Sequence, residues 1–361
     1  MVVARRFTNG RCATKPVEAF SRAFSPFGHH DDCIVKEVDM RTPSQRPSNV
    51  KAPPRRLDAG RPNKKLSQGR FAAMLLTPTG VILLALVLVP ILFLIVTSFT
   101  DFNQASLFTG TFKFKGFAQY VVALKDIEFW KALLRTFIFT AALVIGSLLI
   151  GMAVAQMMTK LGTVMRYIVT FVLIFAWAMP NVASSVVWKW LFQPGYGIVN
   201  WMLTKLHVFG NMLNVAWSNN TTLAFLCIWM LVIWQAVPYI AITLYAATTQ
   251  LDQSCLEAAQ IDGAGHIRTY WQIVVPLIKP SIMVIAMLSI IWDFNVFNQI
   301  WLVSQGGPNG TTSTIGVFTY KKAFVNFDIA QGAAISVITV IILMALTGVY
   351  VRNLLKSGED L

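Results

Sequence analysis

Six long apolar stretches dominate the sequence, and their lengths limit the folds that it can adopt. They cover residues 71–99, 133–158, 167–187, 223–247, 276–300 and 332–351. About 20 consecutive apolar residues allow a helix to cross the hydrocarbon core of a bilayer. The strands of a membrane β-barrel would instead alternate apolar and polar residues. The sequence therefore predicts an all-α polytopic membrane protein with six transmembrane helices.

Charged residues are scarce and unevenly placed. They make up 13% of the 361 residues, against 55% hydrophobic residues, whereas soluble domains carry about 25% charged residues. Residues 1–70 hold 15 Lys and Arg against 6 Asp and Glu, and so carry most of the net charge of +14. Residues 1–66 show no hydrophobic period and predict a basic, disordered cytoplasmic tail. A six-span domain is predicted at 67–361, and an anionic membrane surface, not nucleic acid, is the expected partner of the basic charge.

Orientation follows from the basic residues next to the first span. Lys and Arg near the first span favour the cytoplasmic side, so both termini are predicted in the cytoplasm. The Lys and Arg of the short loops alone do not decide between the two orientations. Five tryptophans at the predicted outer ends of the spans are typical of an aromatic belt: Trp130, Trp188, Trp190, Trp201 and Trp217.

The sequence lacks the residues that several classes of protein require. The four cysteines, Cys12, Cys33, Cys227 and Cys255, show no metal-binding spacing, so no metal site is predicted. No GxxxxGK(S/T) loop for nucleotide phosphates occurs. The spans contain no histidine and one clear acid, which argues against an enzyme. A secondary transporter stays an alternative, although it would usually show internal repeats and no clear repeat is present.

A polar segment at residues 249–275 interrupts the apolar pattern. LEAAQIDGAG has a helical composition, Gly263 and Gly265 permit a sharp bend, and HIRTYWQIVV is amphipathic. Pro276 suits the first turn of the fifth span, where its missing N–H costs little. This pattern predicts a helix, a bend and a second helix that dock against another protein on the cytoplasmic face. The alternative is an interfacial helix that only joins two spans.

This polar segment resembles the EAA signature of ABC importer permeases. The matching residues are Glu257-Ala258-Ala259, Asp262-Gly263-Ala264, Tyr270, Ile273, Pro276 and Pro280, with Tyr270 where phenylalanine is common. The resemblance implies the six-span core of a type I importer permease, with a coupling helix that fits a cleft in a cytoplasmic ATPase. The implied ATPase-coupling residues are Glu257, Ala258, Ala259, Asp262, Gly263, Ala264, Tyr270 and Pro276. Of these, Glu257 would contact a basic residue of the ATPase and Gly263 would form the turn.

The resemblance also implies partners and a location. We expect a second homologous permease subunit in a heterodimer, a cytoplasmic ABC ATPase dimer and an extracytoplasmic sugar-binding protein, in a bacterial plasma (inner) membrane. ATP and Mg would be bound by the ATPase, with no cofactor in this chain. Residues 292–313 resemble carbohydrate importers, in particular the larger-looped subunit of a maltose-permease pair, whose extra spans and periplasmic insertion are absent here. A sugar substrate is expected, and a glycerol phosphate or another polyol stays open.

Polar residues within the spans are candidate substrate contacts. An ionisable residue inside a span is costly, and Asp293 shares a helical face with Ser289 and Val296, beside Trp292. Sugars need hydroxyl-matching donors and acceptors beside an aromatic plane, and this face offers both. Asp293 could instead pair with the partner permease or lie in the outer headgroup region.

The fourth span adds further candidates. Gln235 and Tyr239 are four residues apart beside Pro238, and Asn181 is a weaker candidate of the same kind. Gln235 and Tyr239 could simply hydrogen-bond between helices. The resemblance to the maltose permease places seven residues at sugar-lining positions: Gln235, Ala236, Tyr239, Ser289, Trp292, Asp293 and Val296. That relative has amides at the positions of Asp293 and Val296, which implies a different sugar or a displaced site.

Overall fold

The computed structural model describes residues 65–207 and 209–356. Regular structure in these residues is helical, apart from an isolated bridge between Thr100 and Phe114. The α-helices are α1 (Lys65–Thr97), α2 (Gln104–Thr109), α3 (Ala118–Lys125), α4 (Ile127–Lys160), α5 (Thr163–Ala178), α6 (Asn181–Leu191), α7 (Ile198–Lys205), α8 (Thr221–Thr249), α9 (Gln253–Ile261), α10 (His266–Thr269), α11 (Val275–Leu277), α12 (Lys279–Phe294), α13 (Asn298–Ser304), α14 (Ile315–Tyr320) and α15 (Ile329–Lys356). A 3₁₀ turn spans Trp217–Asn219, and π-helical turns span Tyr270–Val274 and Lys321–Val325.

The predicted tail lies almost wholly outside the described residues. Residues 1–64, with Cys12 and Cys33, are not described, so the basic disordered tail and its cytoplasmic location stay predictions. The chain from Leu66 onward forms one compact unit. The helices discussed below all belong to this unit.

Four helices are long and apolar enough to cross a membrane singly: Leu76–Thr97 within α1, α4, α8 and Ile329–Asn353 within α15. Two bent pairs pass the same test together, α5 with α6 and His266–Leu277 with α12. Each of the six predicted apolar stretches falls on one of these units. The prediction of an all-α polytopic membrane protein with six spans is confirmed, with two of the spans bent.

The bends show which prolines interrupt a helix. α5 and α6 meet at 99°, across Met179 and Pro180. Pro180 has no N–H to donate, and a proline disfavours the helical conformation of the residue before it. The prediction of a continuous helix over 167–187 is therefore wrong. Pro90 and Pro238, by contrast, lie inside the continuous helices α1 and α8.

The straight part of the fifth span, α12, begins later and ends earlier than the predicted stretch 276–300. α12 starts at Lys279 with Pro280 in its first turn, whereas Pro276 lies in α11, before a 73° bend. The prediction that Pro276 occupies the first turn of this span is wrong, because Pro280 takes that position. Residues 295–297 separate α12 from α13. The stretch 276–300 thus contains the end of α11, all of α12 and the start of α13, separated by breaks at Ile278 and at 295–297.

Helices α4 and α8 form the centre of the bundle. Leu143 of α4 packs with Ile228 and Leu231 of α8 in a buried apolar cluster. Gly151 permits a close approach of the two helices, since an added Cβ would lie 2.5 Å from Cγ2 of Ile240. Interiors are packed too tightly to absorb such an atom without a shift. Both α5 and α12 pack against this central pair.

The beginning of α4 holds the segment between α13 and α14. Arg135 donates to the carbonyl oxygen of Gly310 at 2.9 Å, and Thr136 Oγ1 accepts from the N–H of Ile315 at 2.8 Å. Just ahead of α4, Asp126 forms an ion pair with Lys322 at 3.0 Å. These contacts tie together residues nearly 200 positions apart at the end of the bundle opposite the polar segment.

The tryptophans at this end do not all form a belt. Trp130, Trp190 and Trp201 are about half exposed, as expected of side chains at a membrane interface. Trp217 is only 6% exposed and donates to Asn200 Oδ1 at 2.7 Å. Trp188 packs against Trp234, with ring centroids 5.5 Å apart. The belt prediction is wrong for Trp217, which is part of the core because its indole N–H finds a buried partner.

Candidate functional site

A cavity of about 490 Å³ lies between α6, α8, α12 and the residues that follow α12. All six predicted substrate residues line it: Asn181, Gln235, Tyr239, Ser289, Trp292 and Asp293. Its other lining residues are Trp177, Val232, Ala236, Ile240, Ile291, Asn295, Val296, Phe297, Asn298 and Gln299. The volume is in the range of small-molecule sites, which are typically about 300–1,000 Å³. Binding of a substrate by these residues stays a prediction.

Three amide side chains form a chain of hydrogen bonds along the cavity. Gln299 Nε2 donates to Gln235 Oε1 at 3.0 Å, and Gln235 Nε2 donates to Asn181 Oδ1 at 3.1 Å. Gln235 therefore makes the interhelical bonds considered above and also lines the cavity. Gln299 was not among the predicted site residues. Its polarity at the end of an apolar stretch was the available signal, but its partner on α8 is 64 positions away.

An aromatic pair borders the same cavity. Tyr239 of α8 and Trp292 of α12 have ring centroids 5.5 Å apart and planes inclined at 65°. Edge-to-face packing of this kind fixes ring orientation. Trp292 keeps 54% of its surface exposed. The pair thus presents a fixed aromatic surface next to hydrogen-bonding amides.

Asp293 lies on the buried side of the cavity. Ser289, Asp293 and Val296 are 5%, 7% and 8% exposed, so the helical face predicted from their spacing points into the protein. Oδ2 of Asp293 is buried and has no hydrogen-bond partner among the described residues. Within the part of the chain that the structure describes, no Lys, Arg or His lines the cavity. Its burial places this carboxylate inside the bundle and not on the outer surface.

The polar segment forms the predicted helix, bend and helix. Asp252 caps α9 by accepting from the backbone N–H of Ser254 at 3.0 Å. Hydrogen bonds from the backbone and the side chain of Ser254 lower the pKa of the Asp252 carboxyl. Gly263 follows α9 with φ +76° and no atom within 4 Å of an added Cβ. Its backbone conformation, not space, is therefore the reason for glycine. Gly265 has φ −66°, so its predicted role in the bend is wrong, since other residues adopt that conformation.

The predicted coupling residues divide between two faces of this segment. Ala259 is 6% exposed, and Tyr270 packs into a cluster with Val274 and Ile278. The Tyr270 hydroxyl also donates to the carbonyl oxygen of Met152 on α4, at 3.3 Å. These contacts fix the segment to the bundle.

The other face of the segment is open. Glu257, Ala258, Asp262, Gly263 and Pro276 are exposed, and Ala264 is half-buried. Two large apolar side chains accompany them, with Ile261 86% and Ile267 79% exposed. Apolar side chains grouped on an exposed face are typical of surfaces that bind another protein.

A multi-pass helical bundle with a polar cavity between its spans and an anchored loop beside them defines a membrane permease. Residues 147–356 match the family described as binding-protein-dependent transport system inner membrane component, and the chain belongs to this family. The matched range contains every predicted site residue. The resemblance to importer permeases inferred from residues 257–280 is thereby confirmed.

Curated relatives include permeases named for several saccharides. The chain is 36% identical over 263 residues to the diacetylchitobiose uptake system permease protein DasB of Streptomyces coelicolor, covering 73% of this chain and 80% of that one. It is 30% identical over 282 residues to the sulfoquinovosyl glycerol transport system permease protein SmoG of Agrobacterium fabrum, covering 78% and 89%. It is 26% identical over 288 residues to the trehalose/maltose transport system permease protein MalF of Thermococcus litoralis, covering 80% and 95%.

Solved structures share the fold. A bacterial alginate ABC transporter, crystallised with an alginate pentasaccharide-bound periplasmic protein, contains a chain that superposes with a TM-score of 0.67 at 17% identity. The match covers 80% of this chain and 94% of that one. A second structure of a transporter that imports the acidic polysaccharide alginate gives a TM-score of 0.66 at 20% identity, covering 80% and 98%. The arrangement of helices described above is thus that of an ABC importer permease.

Proposed function

We propose that this chain is one of two permease subunits of a bacterial ABC importer for a saccharide. The cavity carries the proposal, because it joins amide donors and acceptors to the Tyr239–Trp292 pair. Saccharide sites combine hydrogen-bonding groups for hydroxyls with an apolar surface for the ring faces. The relatives named for diacetylchitobiose and for trehalose and maltose support this class of substrate.

A second permease subunit would complete the pathway. Asn181, Trp292, Asn295 and Asn298 line the cavity yet are exposed, so the cavity is open on one side. The most apolar window of α1 also has no buried residue. A homologous partner packed on this open side would enclose the substrate from both halves, and an extracytoplasmic binding protein would deliver it.

The polar segment would face the cytoplasm and dock on a separate ATPase dimer. The exposed Glu257 and the apolar Ile261 and Ile267 offer the contact surface. ATP with Mg, bound by that dimer, would supply the energy. The basic residues preceding the first span support a cytoplasmic N-terminus in the bacterial inner membrane, with the C-terminus on the same side.

The bent pair would connect docking to transport. Tyr270 fixes its loop end to α4 through Met152, and α12 carries Asp293 at its other end. Movement of the polar segment would then be passed to the cavity wall. Alternating access follows if the two states of the bundle differ in affinity for the substrate and for the ATPase.

A phosphorylated polyol is not favoured as substrate. The buried Asp293 carboxylate lines the cavity, and no basic side chain of the described residues does. Like charges repel strongly where water is excluded. A neutral saccharide meets no such repulsion.

The experiment is uptake of labelled saccharides into proteoliposomes that contain this chain, its partner subunits and ATP, with the binding protein outside. Trp292→Ala should lower the initial rate by about fivefold, since an aromatic contact of this kind is worth roughly 1 kcal/mol. Trp190→Ala is the matched control, because Trp190 is 55% exposed and does not line the cavity. The proposal would be contradicted if no saccharide were taken up in an ATP-dependent way, or if both variants gave equal rates.

A further inference from the structure

Asp293 is the feature of the cavity that saccharide import alone does not explain. Its side chain is 7% exposed, and its Oδ2 atom has no hydrogen-bond partner among the residues that the structure describes. The remaining polar lining residues carry amide or hydroxyl groups: Asn181, Gln235, Tyr239, Ser289, Asn295, Asn298 and Gln299. A buried charge without a counter-charge is costly. A ligand that brings a cationic donor to this oxygen would offset that cost.

A hydroxyl group does not require a carboxylate at this position. An asparagine of the same shape would accept a hydrogen bond from a hydroxyl without the cost of burying a charge. The cavity already provides five amides for that purpose. A carboxylate gains most over an amide when the donor is itself a cation, because the attraction of opposite charges in a water-poor site then adds to the hydrogen bond.

The surroundings of Asp293 also suit a cation. Tyr239 and Trp292, with ring centroids 5.5 Å apart, border the same cavity. Aromatic faces attract ammonium groups, most strongly where the group is desolvated. Across the described lining residues there is no Lys, Arg or His that would compete for the carboxylate.

We propose that the saccharide carried by this permease is an amino sugar with at least one free ammonium group, and that Asp293 recognises that group. The inference rests on the proposed function and narrows its substrate class. The ammonium would donate to Oδ2, the oxygen that lacks a partner. The same carboxylate would disfavour sulfonated and carboxylated sugars, in contrast to the relatives named for sulfoquinovosyl glycerol and for alginate.

The test is equilibrium binding of two labelled disaccharides to the complete importer complex in lipid nanodiscs. The binding protein is omitted, so that only the transmembrane site contributes. One probe is the β-1,4-linked disaccharide of glucosamine, which has two free amines. The other is its N,N′-diacetyl form, which keeps the rings and carries no charge.

Wild type should bind the free-amine probe about tenfold more tightly than the diacetyl probe. Asp293→Asn should bring the two affinities to within about threefold, since it removes the charge and keeps the shape. Asp293→Glu should retain the preference. Glu128→Gln is the matched control, because Glu128 is an exposed carboxylate in the first turn of α4 that pairs with Lys131, and its ratio should equal that of wild type.

Four outcomes would overturn the inference. Equal binding of both probes by wild type, or a preference that survives Asp293→Asn, would do so while leaving saccharide import intact. Failure of Asp293→Asn to assemble with the second permease would show that Asp293 pairs with that subunit instead. Binding of no neutral, amino or acidic saccharide by wild type would overturn the proposed function, and the inference with it.

Discussion

The two ends of the segment from α9 to α12 show opposite exceptions to the usual pattern of burial: polar side chains are buried at one end, and apolar side chains are exposed at the other. Near the cavity, the polar Ser289 and Asp293 are 5% and 7% exposed. Near the polar loop, the apolar Ile261 and Ile267 are 86% and 79% exposed. Buried polar atoms normally have hydrogen-bond partners, and exposed apolar groups normally mark a binding surface. The difference supports the proposals of a small polar ligand at one end and a protein partner at the other.

The largest effect is expected at the bend of the loop. Gly263→Pro cannot keep φ +76°, because proline fixes φ near −65°, and it also removes the N–H that donates to Gln260. Uptake and ATP hydrolysis stimulated by the binding protein should both fall to background. Gly265→Ala is the matched control, since φ is −66° and an added Cβ meets nothing within 4 Å. Normal uptake by Gly263→Pro would break the assignment of the loop to coupling.

The second change removes one charge from the exposed face of the loop. Glu257→Ala should lower uptake at least about tenfold, as expected when one partner of an interface charge pair is lost. The fold should not change, because Glu257 is exposed. Uptake assays should show no loss for Glu128→Ala, a carboxylate that is also exposed. Similar losses in both variants would mean that surface charge, and not docking, is responsible.

The third change tests the chain of amide hydrogen bonds along the cavity. Gln299→Ala removes the donor that holds Gln235 at 3.0 Å and should weaken saccharide binding about fivefold, the value of one neutral hydrogen bond. Gln272→Ala serves as control, because that amide oxygen accepts from Arg268 on the exposed loop. Unchanged affinity in Gln299→Ala would show that the amide chain does not position the site.

The smallest effect concerns the Asp126–Lys322 ion pair, which belongs to neither end. Partial burial raises the pKa of Asp126, but the hydrogen bond and charge of Lys322 and the backbone N–H groups outweigh it, so that the pKa lies below the usual value of 3.8. Because the pKa of Asp126 is depressed in the folded state, the ionised carboxylate stabilises the folded protein at pH values above 3.8. This stabilisation is lost as the pH falls through the pKa of Asp126 in the folded state.

Asp126→Asn should therefore lower stability by less than about 1 kcal/mol at pH 6, since the pair is partly exposed. Uptake at neutral pH should stay normal. Thermal unfolding of the complex at pH 6 and pH 3 checks this, because the two proteins should converge at the lower pH. An equal difference at both pH values would mean that the asparagine disturbs packing instead.

Local spacing predicted the cavity residues well for a physical reason. Residues three and four apart share a helical face, so Ser289, Asp293 and Val296 could be grouped from the sequence alone. The bond between Gln299 and Gln235 could not, because it depends on how α8 and α13 are placed in space. Helix packing is set by side chains along whole interfaces, which no short motif contains.

The roles of individual prolines and glycines could not be predicted from local sequence either. Pro180 and Pro238 look alike in the sequence, yet one separates two helices at 99° and the other lies within α8. Neighbouring helices decide whether a broken backbone bond is tolerated in a span. Gly263 and Gly265 also look alike, but only Gly263 has a positive φ. Trp217 was expected at an interface and is buried because Asn200, 17 positions away, accepts its N–H.

The most direct test of the division of roles is saccharide binding and uptake by two variants of the same complex. Trp292→Ala and Glu257→Ala are compared in nanodiscs, with a labelled disaccharide that wild type transports. We predict that both variants lose uptake, that Trp292→Ala also loses binding, and that Glu257→Ala binds as tightly as wild type. Normal binding by Trp292→Ala together with lost binding by Glu257→Ala would contradict the account.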